Sequence, residues 1–347
     1  METTDNLNIV RFKPLITPKQ LREKYPETEQ AAELVARSRR IIQGILTNKD
    51  RRKVVIAGPC SLHDKAASIE YAAKIRDLQS KVSDKVLIVM RTYFEKPRTT
   101  LGWKGMIYDP YLDGSYDIEE GFVRARDILL AVSKIGLPCA TEFLDPIVPQ
   151  YLADIISWAS VGARTAESQI HRQMASGLSM PVGFKNSTDG NLTASIDAVK
   201  AAASPHSFMG ISEAGQVVIA ETRGNKFGHL VLRGGKDCPN YTEEYVAFAK
   251  VLLKKANIQT GIVIDCSHAN SEKDFRQQRT VLLDVAEQLK KNTDIISGVM
   301  LESFLVEGNQ KPAKAENLTY GQSLTDECIG WNETEELINI FADAVKG

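Results

Sequence analysis

The chain has 347 residues, of which 43% are hydrophobic and 25% charged, and this suits one large α/β domain or two smaller ones. Its formal net charge of −1 argues against a protein that binds nucleic acid or an anionic membrane through overall charge. Apolar runs fall short of the roughly 20 residues of a membrane span, and the N-terminus lacks a signal-peptide pattern. Five cysteines, an odd number spread along the chain, indicate a reduced, cytoplasmic protein.

Residues 1–52 predict a helical arm that precedes the first strand. Thr17 and Pro18 open one helix, because proline is favoured in a first helical turn, and residues 27–46 place apolar side chains at helical spacing. A sheet or barrel does not need such an arm, so we assign it to oligomer contact or regulation. A simple cap over one end of the fold is the alternative.

From residue 53 onward, short apolar segments alternate with longer amphipathic ones, which favours a parallel sheet buried on both faces. The predicted strands are 53–57, 86–90, 138–142, 160–163, 181–184, 229–233, 262–266 and 298–302. The predicted helices include 66–80, 119–135, 147–158, 191–203, 242–256 and 274–291. About eight such units predict that residues 53–347 form a (β/α)8 TIM barrel. An open doubly wound sheet is the alternative, but no G-x-G-x-x-G follows the first strand.

Residues 206–223 interrupt this alternation. Two β-like runs flank the residues Glu213, Ala214 and Gly215, and this pattern is typical of a β-hairpin rather than of a βα unit. We predict a hairpin inserted before the sixth strand, with a role in binding or regulation.

Charged side chains follow almost every predicted strand, and a (β/α)8 enzyme has its active site at the carboxyl ends of its strands. The cations at these positions are Arg91, Lys96, Arg98, Arg164, Lys185 and Arg233. Six positive charges at one mouth would repel one another, so we expect substrates with several negative charges, such as phosphates and carboxylates. The alternative is that one or two of these cations form ion pairs with Glu142, Asp109 or Asp145.

A second group of strand ends carries metal-binding side chains. Cys60, His268 and Glu302 follow strands one, seven and eight, and closure of the barrel would make these strands neighbours. Thiolate, imidazole and carboxylate together suit a divalent ion such as Mn, Fe, Co or Zn. Asp326, in the loop after strand eight, is a candidate fourth ligand. Alternatively, Cys60 is an inert buried cysteine.

Six stretches of the sequence closely resemble the microbial class I 3-deoxy-D-arabino-heptulosonate 7-phosphate (DAHP) synthases. They are GPCSLHD (58–64), RTYFEKPRTTLGWKG (91–105), GARTAESQIHRQMASGLSMPVGFKN (162–186), LRGG (232–235), DCSHAN (265–270) and ESFLVEGNQ (302–310). The likeness covers essentially the whole chain, including the arm and the hairpin. It implies a (β/α)8 barrel that condenses phosphoenolpyruvate with erythrose 4-phosphate to DAHP and phosphate, with a divalent metal. This reaction opens the shikimate pathway of aromatic amino acid biosynthesis.

The resemblance also implies a role for each site residue. The metal ligands would be Cys60, His268, Glu302 and Asp326. Phosphoenolpyruvate would lie among Arg91, Lys96, Ala163, Arg164, Lys185 and Arg233, and Arg98 with Thr99 would bind the phosphate of erythrose 4-phosphate. Lys96 and Lys185 would act in catalysis, and Glu142 is a candidate for stabilising or deprotonating the attacking water. Because Pro97 stiffens the loop, we expect Lys96 and Arg98 to point to opposite sides of it.

Members of this family are inhibited by phenylalanine, tyrosine or tryptophan. The resemblance places the effector pocket at Pro146, Gln150, Gly177, Leu178, Ser179, Phe208, Gly210 and Ala220, with Asp5 and Asn6 from a neighbour's arm. Gly210 stands where phenylalanine-sensitive relatives tend to have serine, and it leaves room for a para-hydroxyl. We therefore predict inhibition by tyrosine, in a homodimer or homotetramer. A phenylalanine-sensitive enzyme, with Gly210 meeting a plain backbone requirement, is the alternative.

Two other functions compete with this interpretation. A 3-deoxy-octulosonate 8-phosphate synthase uses the same first substrate with a longer sugar phosphate, but the KPRT run at 96–99 and the added arm and hairpin disfavour it. A catalytically silent metabolite sensor on the same barrel would be expected to lose ligands, whereas the metal and substrate positions named above are all filled by suitable residue types.

Overall fold

The computed structural model describes residues 4–236, 238–291, 294–313 and 315–346. Its strands are β1 Lys53–Gly58, β2 Val86–Arg91, β3 Cys139–Glu142, β4 Ile156–Val161, β5 Val182–Lys185, β6 Ser207–Ile211, β7 Val217–Glu221, β8 Gly228–Leu232, β9 Ile262–Asp265 and β10 Ile296–Glu302. Its helices are α1 Pro18–Lys24, α2 Glu29–Leu46, α3 Lys65–Val82, α4 Ile118–Ile135, α5 Val148–Leu152, α6 Gln169–Gly177, α7 Thr193–Ala202, α8 Glu243–Lys255, α9 Gln278–Lys290 and α10 Trp331–Ala344. Across these ranges, none of the helices combines the length and the apolar character needed to cross a membrane.

A closed barrel of eight parallel strands forms the centre of the described chain, in the order β1-β10-β9-β8-β5-β4-β3-β2. The last strand, β10, pairs with the first, so that Gly58 lies opposite Glu302. Helices follow the strands around the outside, and the residues of β2, β3 and β10 are buried throughout. The predicted (β/α)8 TIM barrel is confirmed, and the open doubly wound sheet is excluded.

The fourth barrel strand differs from its prediction. In place of a helix over 147–158 and a strand over 160–163, the structure has the five-residue helix α5, a 3-10 turn and β4 from Ile156. The guanidinium of Arg39 in α2 donates to the carbonyls of Ala153 and Ile156 at 2.6 and 3.0 Å. β4 also pairs with β3 on one side and β5 on the other. These long-range contacts override the local helical pattern.

Helix α2 closes the amino-terminal end of the barrel. Its residues Ile42, Ile45 and Leu46 are buried in one cluster with side chains from the barrel interior, including Trp158. The carbonyl of Leu46 also accepts a hydrogen bond of 2.8 Å from the amide of Gly261, just before β9. The division into an arm over 1–52 and a barrel over 53–347 stays a prediction, and residues 1–3 and 347 lie outside the described ranges.

The predicted hairpin over 206–223 is confirmed as the antiparallel pair β6 and β7, inserted before β8. One of its faces carries Met209, Val217 and Ile219, whose exposed fractions are 85%, 79% and 76%. An apolar face of this kind on a two-stranded sheet is typical of a surface that another chain covers.

Helix α1 begins as predicted at Thr17 and Pro18. The hydroxyl of Thr17 accepts from the amide of Gln20 at 3.2 Å, and the side chain of Gln20 accepts from the amide of Thr17 at 2.9 Å, which completes a capping box. The amide of Lys19 donates to the carbonyl of Glu213 at 2.8 Å, so α1 is tied to the turn of the hairpin.

Candidate active site

A cavity of about 580 Å³ opens at the carboxyl ends of the barrel strands. This position follows from parallel strands, which all end at the same rim. Its lining includes the predicted substrate and metal residues Arg91, Lys96, Arg98, Thr99, Glu142, Ala163, Arg164, Lys185, Arg233, His268, Glu302 and Asp326. The structure therefore brings together side chains that lie more than 230 positions apart in the sequence.

Four potential metal ligands converge at the junction of β1, β9 and β10. The thiol of Cys60 and carboxylate oxygens of Glu302 and Asp326 lie within 4.8 Å of one another. The Nε2 atom of His268 is 3.9 Å from Oε1 of Glu302, and Sγ of Cys60 is 3.4 Å from Oδ2 of Asp326. One sulfur, one nitrogen and two carboxylates are a donor set that fits a divalent transition metal.

Arg91 is buried below this cluster. Its Nη2 atom donates to Oε1 of Glu302 at 2.8 Å, and its Nε atom donates to the carbonyl of Pro59 at 3.1 Å. The guanidinium stacks on the ring of Tyr93, with 3.6 Å between its Cζ atom and the ring centroid. The guanidinium thus has hydrogen-bond partners at its edge and an aromatic ring against its face.

Lys96 reaches the same cluster from the loop after β2. Its Nζ atom lies 2.9 Å from Sγ of Cys60 and 3.1 Å from the carbonyl oxygen of Cys60. Burial alone would lower the pKa of Lys96, but the charges of Cys60 and Glu302 raise that pKa above its ordinary value. Lys96 is therefore a cation at neutral pH. Beyond Pro97, Arg98 is exposed, and its Nε atom donates to the carbonyl of Trp103 at 2.8 Å.

Glu142 and Lys185 form a buried ion pair, with 3.0 Å between Oε2 and Nζ. Burial alone would raise the pKa of Glu142, but the charges of Lys185 and Lys96 lower that pKa to about 2. Glu142 is thus an anion at neutral pH and can accept a hydrogen bond. The alternative of ion pairing holds for Lys185 and Glu142, whereas Asp109 accepts from the amide of Gly114 and Asp145 accepts from Tyr108.

Arg164 and Arg233 follow β4 and β8 and line the same cavity. Burial lowers the pKa of Arg233; the carboxylate of Asp265 opposes this shift, and the charge of Arg164 adds to it. The two arginines thus lie within electrostatic reach of each other and repel. A dianionic group bound between them would relieve this repulsion.

The predicted effector residues lie on three neighbouring segments at a different part of the molecule. On the hairpin, Phe208 pairs with Ala220, and Gly210 follows two positions later on the same face. At the end of α6, the hydroxyl of Ser176 lies 2.7 Å from that of Thr222 at the base of the hairpin, which places Gly177, Leu178 and Ser179 beside it. After β3, the carbonyl of Gln150, four positions beyond Pro146, accepts a hydrogen bond of 2.6 Å from Arg22. Asp5 and Asn6 are exposed.

Three buried polar side chains near the cavity have contacts that the sequence pattern does not predict. The amide of Gln278 donates to the carbonyl of Glu302 at 3.0 Å, and its oxygen accepts from the amide of Glu302 at 2.9 Å. Glu95 accepts from the amides of Leu144 and Asp145, and Asp265 faces His268. Sequence signals were available for two of them, because Glu95 and Asp265 lie inside the RTYFEKPRTT and DCSHAN stretches.

Comparison with known proteins gives a consistent result. The model of the DAHP synthetase I family matches residues 24–339. The Phe-, Trp- and Tyr-sensitive phospho-2-dehydro-3-deoxyheptonate aldolases of Escherichia coli (strain K12) are 51%, 48% and 48% identical to the chain, cover 99%, 99% and 100% of it, and match over 97%, 99% and 97% of their own length. A solved phospho-2-dehydro-3-deoxyheptonate aldolase from Francisella tularensis SCHU S4 superposes with a TM-score of 0.96 at 49% identity, covering 98% of this chain and 100% of that one. The chain therefore belongs to the DAHP synthetase I family.

Proposed function

We propose that the cavity condenses phosphoenolpyruvate with D-erythrose 4-phosphate to DAHP and phosphate, in a metal-dependent reaction that opens the shikimate pathway. The observation that carries the proposal is the placement of six cations and four metal-ligand side chains around one cavity. Two phosphates and one carboxylate supply the negative charge that such a group of cations requires.

The substrates divide between two sides of the cavity. Arg164 and Arg233 hold the phosphate of phosphoenolpyruvate, since they lie within electrostatic reach of each other. Arg91 and Lys96 hold its carboxylate, Lys185 lies between the two groups, and Ala163 lines the same wall. The phosphate of erythrose 4-phosphate binds at Arg98 and Thr99, on the more exposed side.

One divalent ion of Mn, Fe, Co or Zn would be held by Cys60, His268, Glu302 and Asp326. When bound there, such an ion supplies Lewis acidity toward the aldehyde carbonyl of erythrose 4-phosphate. Lys96, 2.9 Å from Sγ of Cys60, places a fixed positive charge beside this group of ligands. Arg91 neutralises Glu302 and faces the phosphoenolpyruvate site at the same time.

The chemistry follows from these positions. C3 of phosphoenolpyruvate attacks the aldehyde carbon, and positive charge develops at C2, where water adds. Glu142 is ionised, so it can accept a hydrogen bond from this water and stabilise the positive charge that develops at C2. The C–O bond between C2 and the phosphate then breaks as the C2 hydroxyl becomes the keto group, and the hydroxyl proton leaves with the phosphate, which Arg164 and Arg233 stabilise. The aldehyde oxygen takes up one proton, which balances the proton lost by the water.

An assay of phosphate release tests this function against its alternatives. We expect release from phosphoenolpyruvate with erythrose 4-phosphate, and loss of activity after exhaustive chelation that is restored by a divalent metal. Faster release with arabinose 5-phosphate would identify an octulosonate 8-phosphate synthase instead. A protein that binds phosphoenolpyruvate but releases no phosphate with either sugar would be a silent sensor.

We further propose that tyrosine inhibits the enzyme, in a pocket between the hairpin, α6 and the segment after β3, completed by Asp5 and Asn6 of a second copy. Gly210 supports this choice. A Cβ atom there would lie 3.5 Å from Cβ of Ala220 and 3.7 Å from the ring of Phe208, which are ordinary contacts, and its φ is outside the left-handed region. The backbone therefore does not require glycine, and its effect is to leave space. The Phe-, Trp- and Tyr-sensitive relatives all lie between 48% and 51% identity, so overall similarity does not select the inhibitor.

The substitution Gly210→Ser tests the effector. We expect tyrosine to inhibit the native chain better than phenylalanine or tryptophan do, and Gly210→Ser to weaken tyrosine by removing the space for its hydroxyl. Initial rates at increasing concentrations of each amino acid measure this. Phenylalanine acting as the strongest inhibitor of the native chain would overturn the assignment.

A further inference from the structure

Asp265, the last residue of β9, is fully buried between the two halves of the active site. Its Oδ2 atom lies 2.9 Å from Nδ1 of His268 and 3.9 Å from Nζ of Lys185. Its Oδ1 atom accepts hydrogen bonds from the amide of Ser267 at 3.1 Å and from the hydroxyl of Ser267 at 2.7 Å. One carboxylate therefore contacts a proposed metal ligand and a proposed phosphoenolpyruvate ligand.

The contact with His268 determines which nitrogen of the imidazole is free. The link runs through Ser267, whose hydroxyl donates its proton to Asp265 and lies 2.8 Å from Nδ1 of His268. A carboxylate accepts only, so the hydroxyl oxygen is left to accept from the imidazole; the proton of a neutral imidazole is thus held at Nδ1, and Nε2 keeps its lone pair. Nε2 is the atom on the side of Glu302, at 3.9 Å from Oε1. The backbone of His268 has a φ of 59°, and its carbonyl accepts from the amide of Lys273 at 2.9 Å. Backbone and side chain together thus hold the ring in one orientation.

Asp265 is the second of two carboxylates beside the ammonium group of Lys185, and Glu142 is the first. Nζ of Lys185 lies 3.0 Å from Glu142 on one side and 3.9 Å from Asp265 on the other. Lys185 is 4% exposed, so its charge needs such partners. A continuous series of contacts therefore runs from Glu142 through Lys185 and Asp265 to His268, joining the side where water adds to the side of the metal ligands.

We propose that Asp265 is a positioning residue for both halves of the site: it keeps His268 in the tautomer that offers Nε2 to the metal, and it holds Lys185 in the phosphoenolpyruvate site. This inference rests on the proposed function, because it assumes that both ligands bind in this cavity.

The substitution Asp265→Asn tests the proposal at nearly constant shape. We expect the Kd for Co²⁺ to rise roughly 10- to 100-fold, as for other supporting residues of metal ligands, with a changed Co²⁺ absorption spectrum. The Kd for phosphoenolpyruvate, measured at saturating Co²⁺, should rise roughly tenfold because Lys185 is no longer held in place in the phosphoenolpyruvate site. The control is Glu142→Gln, which also removes a partner of Lys185 but lies away from His268; it should weaken phosphoenolpyruvate and leave the Kd for Co²⁺ within a factor of two.

The outcomes separate this inference from the proposed function. If the native chain binds neither Co²⁺ nor phosphoenolpyruvate, the proposed function fails. If the native chain binds both and Asp265→Asn changes neither Kd, or only one of them, the dual positioning role is wrong.

A second measurement avoids any dependence on the folding of the variant. In the native, metal-free protein labelled with ¹⁵N-histidine, and assigned with His268→Gln, we expect the signals of His268 to report a proton on Nδ1. A proton on Nε2 instead would overturn the proposal.

Discussion

At the residue scale, two glycines decide how close the charged side chains can come to the strand ends. A Cβ atom at Gly162, directly after β4, would lie 2.8 Å from Oε1 of Glu142. A Cβ atom at Gly58, at the end of β1, would lie 2.5 Å from the carbonyl oxygen of Arg91. Both distances are shorter than real Cβ contacts. Glu142 and Arg91 can therefore occupy their positions only because Gly162 and Gly58 have no side chain.

The substitution Gly162→Ala should displace Glu142 from Lys185. Because small misplacements of a reacting group lower rates strongly, we expect kcat to fall roughly 10- to 100-fold, measured as initial rates of phosphate release. The control is Gly228→Ala in β8, where a Cβ atom would meet its nearest neighbour at an ordinary 3.4 Å. A native kcat in Gly162→Ala would show that Glu142 does not depend on this contact.

The sequence predicts the cavity residues well where a general rule of the fold applies to them. Arg91, Lys185 and Glu302 end their strands, so the barrel prediction already places them at one rim. It does not predict Gln278, whose hydrogen bonds to Glu302 join α9 to β10 across 24 positions. Such pairs depend on the packed geometry of two elements, and a residue pattern indicates only that the glutamine is near a helix start.

At the scale of elements, α1 connects both sides of the proposed effector pocket. Arg22 donates to the carbonyl of Gln150 at 2.6 Å and to the carboxylate of Glu213, at the turn of the hairpin, at 3.1 Å. The segment after β3 and the hairpin are therefore held by one side chain. An effector that moves one segment would act on the other through this helix.

The substitution Arg22→Ala should release this connection. We expect the half-maximal inhibitory concentration of tyrosine to change roughly fivefold or more, in line with ordinary coupling between sites, while the uninhibited kcat stays nearly constant. Inhibition curves for the variant and the native chain measure this. Glu23→Ala is the matched control, because its ion pair with Lys19 on the same helix is exposed. Equal inhibition curves for Arg22→Ala and the native chain would contradict the role of α1.

The elements also show where prediction from local pattern ends. The helix start at Thr17 follows from capping chemistry within four residues, and it is confirmed. The boundary between α5 and β4 depends instead on Arg39 and on pairing with two other strands. A prediction from local sequence cannot take these distant partners into account. The predicted helix over 147–158 therefore runs into the first residues of β4.

At the scale of the whole molecule, the barrel interior is filled mainly by apolar side chains, with one buried histidine among them. His229 is fully buried in β8, and its Nε2 atom accepts a hydrogen bond of 3.0 Å from the indole of Trp158. Its Nδ1 atom lies 3.1 Å from the carbonyl of Phe227. A neutral imidazole satisfies both contacts, and burial lowers the pKa of His229 to about 4.

The number and period of the elements were sufficient to predict a closed barrel, because alternating short strands and helices leave few other arrangements. They were not sufficient to predict that α2 closes its amino-terminal end. The apolar face of α2 fits a cap, an oligomer contact or a packed surface helix equally well, and only the interior cluster with Ile42, Ile45 and Leu46 distinguishes them.

The buried histidine makes stability depend on pH in a predictable direction. The pKa of His229 is about 4 in the folded chain, against about 6.5 for an unperturbed histidine, so the unfolded chain binds the proton more readily between these values. The free energy of unfolding should therefore fall as pH falls from about 6.5 toward 4, with a total loss of about 3 kcal/mol from this residue. Urea unfolding at pH 7, 6 and 5 measures the effect. In His229→Gln, which keeps an acceptor for Trp158 but does not titrate, this part of the pH dependence should disappear. If the free energies of unfolding of the variant and the native chain instead change in parallel between pH 7 and pH 5, His229 does not cause the pH dependence.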